Sequence, residues 1–102
     1  PPALTSVLRS PMPNPFYTGL EQEVRIVFDL AEASRETRIS VYTATGQLIW
    51  RTVPASRAAR QGHSVLWDGR NAAGKRVASG IYYLVLEADG RLASRPLAIL
   101  RD

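Results

Sequence analysis

The residues able to do chemistry crowd into one stretch of the chain, HSVLWDGRNAAGKRVASGIYYLVLEA at residues 63–88. Asp68 and Asn71 offer oxygen ligands to a hard cation, Gly69, Gly74 and Gly80 offer a backbone cradle for phosphate, His63 offers a proton shuttle, and the aromatic residues offer a platform for a sugar ring. A calcium ion takes six or more oxygens. Between Trp67 and Ile81 the sequence supplies one carboxylate, Asp68, and one amide, Asn71, set among the cations Arg70, Lys75 and Arg76. That census excludes a calcium loop built from side chains, and no metal site is expected. The three glycines precede a run with the alternation of a strand, so no helix N-terminus would face a bound anion.

His63 is the single histidine, and the chain has no cysteine. A second nitrogen or sulfur ligand is therefore missing, and no catalytic triad order stands out. A histidine in the core or at its rim is the reading, with no catalytic residue and no cofactor. Tyr42, Trp50, Trp67, Tyr82 and Tyr83 fall at strand-like positions, where aromatic residues serve sheets and cores. A different class of function, a carbohydrate-binding module, would use Tyr42, Trp50 and Tyr83 as its stacking platform.

The chain must position these residues with 102 amino acids, 45% of them hydrophobic and 22% charged, values that fit one globular domain. Without cysteine, packing alone must hold it. No stretch approaches the roughly 20 apolar residues of a membrane-spanning helix, so no membrane insertion is expected. Thirteen Lys and Arg against nine Asp and Glu give a net charge of +4. The basic residues are spread from Arg9 to Arg101 without a run or a helical stripe, which argues for solubility rather than a specific nucleic-acid interface. A start at Pro1-Pro2 without methionine fits the end of a stiff linker behind further, upstream domains of a larger parent protein.

Hydrophobicity alternates with period two, and no window keeps helical spacing over three turns. The fold class is all-β. ALTSVLRS at 3–10 is the first strand candidate. PMPNPF at 11–16, with prolines at 11, 13 and 15, makes an extended corner that forbids a ladder. EVRIVFDLA turns Val24, Ile26, Phe28 and Leu30 to one side, and ETRISVYTA turns Ile39 and Val41 inward. Thr45-Gly46 leads into GQLIWRTV, where Leu48 and Trp50 share a face. HSVLW places His63, Val65 and Trp67 together, and IYYLVLEA and RLASRPLAIL follow around the turn at Asp89-Gly90. About seven antiparallel strands at spacings of about ten residues is the count of a sandwich. The expected organisation is a linker end with the first strand over 1–10, and the sandwich over 11–102.

Taken in order, PNPF, VRIVFDLA, RISVYTATGQLI, GHSVLWDGRNAAGKRVASGIYYLVLEA and RPLAILRD resemble the FlgD-like immunoglobulin-like domain over about residues 11–102. The pattern is also similar to carboxy-terminal modules of exported bacterial proteins, including type IX sorting domains. The resemblance implies an immunoglobulin-like β-sandwich with fold-keeping roles for its motif residues. Asn14-Pro15-Phe16 would form the corner before the first long strand, Gly46 a hairpin turn and Trp67 a core plug. Asp68-Gly69 would open a loop with Gly74 at its tight turn, and Gly80-Ile81-Tyr82 would start the penultimate strand. It implies a non-catalytic carboxy-terminal module, secreted or held at the cell surface, that serves sorting, surface attachment or structural capping. Its partners would be the parent's upstream domains and secretion machinery or a surface component. A flagellar hook-capping domain is the other role the resemblance implies.

Overall fold

The computed structural model describes residues 7–18, 23–30, 36–54 and 60–101, all of them in strands, turns and loops. The Pro1-Pro2 start and most of the expected strand at 3–10 lie outside them. Among the described residues no helix is long and apolar enough to cross a membrane.

Among the described residues eight strands run in order: β1 (Val7–Leu8), β2 (Phe16–Tyr17), β3 (Val24–Leu30), β4 (Thr37–Thr43), β5 (Leu48–Thr52), β6 (Arg60–Trp67), β7 (Gly80–Ala88) and β8 (Arg91–Leu100). They form a three-stranded sheet, β1-β3-β6, and a five-stranded sheet, β2-β8-β7-β4-β5. The two inner faces close on one core, a sandwich as the alternation and strand count lead one to expect and immunoglobulin-like as the resemblance implies. Val24, Ile26, Phe28, Trp67, Ile39, Val41, Leu84, Leu86, Leu97 and Ile99 are all buried. Thr45-Gly46 makes the expected hairpin turn, with Gly46 at φ 93° and its amide donating to Thr43 O at 2.9 Å.

Three features depart from the alternation pattern. The proline corner does pair. Its prolines occupy one parity, so Met12 and Phe16 keep their N–H groups. Met12 exchanges both backbone bonds with Arg25, at 3.1 and 2.7 Å. Phe16 and Tyr17 run parallel to Ile99 and Leu100, a pairing inside an otherwise antiparallel fold. Asn14 extends this seam with its side chain, donating from Nδ2 to Pro96 O at 3.2 Å and accepting from the Ala98 amide at Oδ1, 3.1 Å. An amide side chain here replaces a strand's own polar groups opposite Pro96, which has no N–H to give.

The second departure is a bulge in β5. Trp50 pairs with Val41 and Leu48 with Tyr42, so one extra residue lies between them. Leu48 therefore sides with Tyr42 on the outer face and Trp50 with Val41 on the inner one, although strict alternation puts them together. The third is a bulge in β6 opposite Asp29, with Gly62 at φ 79°. Asp29 satisfies the irregularity. It accepts from the Gly62 amide at 2.9 Å and from the Arg9 guanidinium through both carboxylate oxygens, at 3.1 and 2.9 Å. Partial burial pushes the Asp29 carboxyl up. The Gly62 amide, the Arg9 guanidinium and the charge of His63 together outweigh that and hold it below the ordinary value near 3.8.

Candidate functional site

The stretch from Trp67 to Gly80 leaves the three-stranded sheet, crosses one end of the sandwich and starts β7. Trp67 anchors it. The indole is 1% exposed, and its Nε1 donates to Arg70 O at 2.9 Å. It also packs on Trp50 with ring centroids 5.9 Å apart.

Beyond Trp67 the side-chain oxygens of Asp68 and Asn71 are engaged by the loop itself. Asp68 Oδ1 accepts from the Arg70 amide at 3.1 Å, and Asn71 Oδ1 accepts from the amides of Ala73 and Lys75, each at 3.0 Å. Lys75 O takes the Asn71 amide, Asn71 O the Gly74 amide and Gly69 O the Val77 amide, at 2.8, 2.9 and 3.0 Å. Gly74 O accepts from Arg70 Nη1 at 2.8 Å. The Ala72 amide reaches Ile49 O at 3.2 Å and ties the loop to β5. Asp and Asn here complete Asx turns that replace a ladder. Among the described residues no group of three or more His, Cys, Asp or Glu lies together.

Gly69 carries the tightest requirement. Its φ is 79°, and a Cβ built on it would lie 2.8 Å from Phe16 Cε2 and 3.1 Å from Thr18 Cγ2. The Phe16 ring, fully buried, lies on the bare Gly69 backbone. The two motifs, PNPF near one end of the chain and WDG far downstream, are thus halves of one contact. Nothing in either motif taken singly signals the other.

His63 is 2% exposed and stacks on Phe28 with centroids 5.0 Å apart and planes at 16°. Tyr82 is buried and donates its hydroxyl to Ala78 O at 2.7 Å, and burial pushes its phenol above the ordinary value of 10.0. Of the carbohydrate-platform residues, Tyr42 and Tyr83 are brought side by side, directly paired across β4 and β7 on the outer face. Trp50 is not brought to them. It lies on the inner face, half-buried against the core. Arg51 reaches Tyr42 from β5, donating to Tyr42 Oη at 3.1 Å and to Ser40 Oγ at 3.0 Å.

The model of the FlgD Ig-like domain family matches residues 14–91. The chain belongs to that family. The matched span runs from Asn14 of the corner through the Trp67–Gly80 loop to the β7–β8 turn, the parts joined by the Phe16–Gly69 contact. Similar solved structures include PorZ, described as an essential bacterial surface component of the type IX secretion system of Porphyromonas gingivalis. Its TM-score is 0.65 with 22% identity over 92% of this chain and 11% of that one. FlgD from P. aeruginosa aligns with a TM-score of 0.55 and 18% identity over 94% of this chain and 66% of that one. CopC from Methylosinus trichosporium OB3b aligns with a TM-score of 0.52 and 17% identity, covering 96% of this chain and 94% of that one. These likenesses establish the shared fold. The chain thus spans about a ninth of PorZ and two thirds of FlgD. No curated protein matches it.

Proposed function

We propose that this FlgD Ig-like domain is a non-catalytic module, carried at the carboxy end of a larger exported bacterial protein, that serves its sorting, surface attachment or structural capping. Its partners are the parent's upstream domains together with secretion machinery or a cell-surface component, and its place is outside the cell or at its surface. The observation that carries this reading is how the family's signature residues are used. Trp67, Asp68, Gly69, Asn71 and Gly74 bond or pack within the loop, and Asn14 and Phe16 within the sandwich. A motif built to hold backbone geometry selects for a fold and leaves chemistry to other parts of a protein. The similarity to one small part of PorZ, a surface component, supports an appended domain over a free-standing one.

The test is to express the parent with and without residues 1–102. Removal is expected to lower the amount secreted or held at the surface, or the parent's melting temperature. Unchanged amount and unchanged stability would overturn the proposal.

A further inference from the structure

We propose that the outer face of the five-stranded sheet binds an acidic polysaccharide, with Tyr42 and Tyr83 as its floor and Arg51 as its charged contact. This rests on the surface-attachment reading and names the chemical class to which the module would attach.

The register places Leu48, Tyr42, Tyr83 and Pro96 directly opposite one another on β5, β4, β7 and β8. With neighbouring strands about 4.8 Å apart, the row crosses roughly 14 Å of sheet. Leu48 is 45% exposed and Tyr83 40%, and Ile81 beside them, 50% exposed, widens the strip. The solvent face of an antiparallel sheet is ordinarily polar. An uncovered apolar strip on one marks a surface made to be covered. Saturated sugar rings have flat C–H faces that lie on aromatic rings, and their hydroxyl edges stay free for polar partners. A strip of paired tyrosines, each with an apolar body and a polar tip, suits that division.

Charge selects the kind of sugar. Arg38, on the same face but farther along β4, is paired with Glu87 at 3.2 Å and Glu36 at 3.6 Å. Among the described residues Arg51 meets only the neutral oxygens of Ser40 and Tyr42, so its charge is uncompensated there while its position is fixed. On the other side of the tyrosine row, toward the start of β7, Arg101 is tied through its amide to Ser79 Oγ at 2.8 Å and through Nη1 to Arg76 O at 3.5 Å. That brings one further cation, Arg101, near the start of β7. The strip thus ends in positive charge beside the tyrosines and in neutralised charge at its far end, an arrangement that accepts carboxylates. A second copy of the chain docked by this face would bring uncompensated guanidinium groups together, and each copy carries +4.

The test is affinity electrophoresis of the 102-residue chain in gels containing polygalacturonate or neutral dextran at about 0.15 M salt, near the physiological value. Polygalacturonate is expected to retard the protein and dextran to leave it unaffected. Tyr83→Ala and Arg51→Gln should each weaken retardation by about tenfold. Tyr83→Phe should retain it, and Arg91→Gln, at the opposite turn, should leave it unchanged, with urea midpoints confirming that each variant is folded. Absence of retardation overturns the proposal. So does equal loss from Arg91→Gln and Arg51→Gln, which would mean diffuse charge, and so does self-association through the face without polysaccharide binding. A chain that binds no polygalacturonate, yet whose deletion lowers delivery of the parent, overturns this inference alone and leaves the proposed function standing.

Discussion

Replacing Gly69 with alanine tests the contact that joins the two signature motifs. Two costs add at this position. A left-handed backbone is unfavourable for any L-residue with a Cβ, by about 1–2 kcal/mol. The new methyl would also sit 2.8 Å from Phe16 Cε2 and 3.1 Å from Thr18 Cγ2, and forcing atoms into a packed core costs about 1–3 kcal/mol more. Gly69→Ala is therefore expected to lose about 2–5 kcal/mol of a total near 5–15. Gly74 isolates the first cost. Its φ is 83° and a Cβ there meets nothing within 4 Å, so Gly74→Ala should lose only about 1–2 kcal/mol. In a Phe16→Leu background the ring edge that crowds the methyl is gone, and the double variant should lose less than the sum of the two single ones, by about 1 kcal/mol or more. Urea unfolding followed by tryptophan fluorescence gives all four values. Equal losses at Gly69 and Gly74, or strict additivity with Phe16→Leu, would refute the reasoning.

Trp67→Ala should cost about 3–5 kcal/mol by urea unfolding monitored with far-UV circular dichroism, since it removes the largest fully buried side chain of the core. Trp67→Phe should cost less, keeping the packing but losing the bond to Arg70 O. Asp29→Asn should destabilise by about 1 kcal/mol at pH 7. The folded state holds the Asp29 carboxyl below its ordinary value near 3.8. Its contribution is thus present above that value, declines as pH falls below it and is gone once the folded-state carboxyl protonates. Urea midpoints of the two proteins should converge in acid, and a gap that stays constant there would count against the Asp29 assignment.

The long strands were legible in the sequence because one of their faces is wet. In β3 the burial of Val24, Ile26, Phe28 and Leu30 alternates with the exposure of Arg25 and the partial exposure of Val27 and Asp29, and period two survives into the fold. Trp67 as the plug was legible too, as a large residue ending such a strand. The parallel pairing of Phe16 and Tyr17 was not, since two residues are too few to carry a period. The placement of the three residues expected as a platform was legible only in part. Tyr42 and Tyr83 share a face because no irregularity intervenes between β4 and β7, whereas one inserted residue in β5 turns Trp50 to the core and Leu48 to the surface. Bulges are set by local backbone compromise between two strands, and neither strand alone encodes them. The role of Arg51 escaped for a related reason. Its partners Ser40 and Tyr42 become neighbours only across the ladder.

The seam between the proline corner and β8 has a consequence for when the domain can form. Asn14 bonds to the backbone of Pro96, 82 positions away, and Phe16 pairs with Ile99. Closing so long a loop costs entropy before any contact repays it, and sheets made of such distant pairings fold slowly, on the order of milliseconds to seconds. The Phe16 ring cannot be held between Gly69 and the last strand until that strand exists. During synthesis, then, the domain remains short of its native state until β8 has emerged, and the early strands wait with their apolar faces unburied.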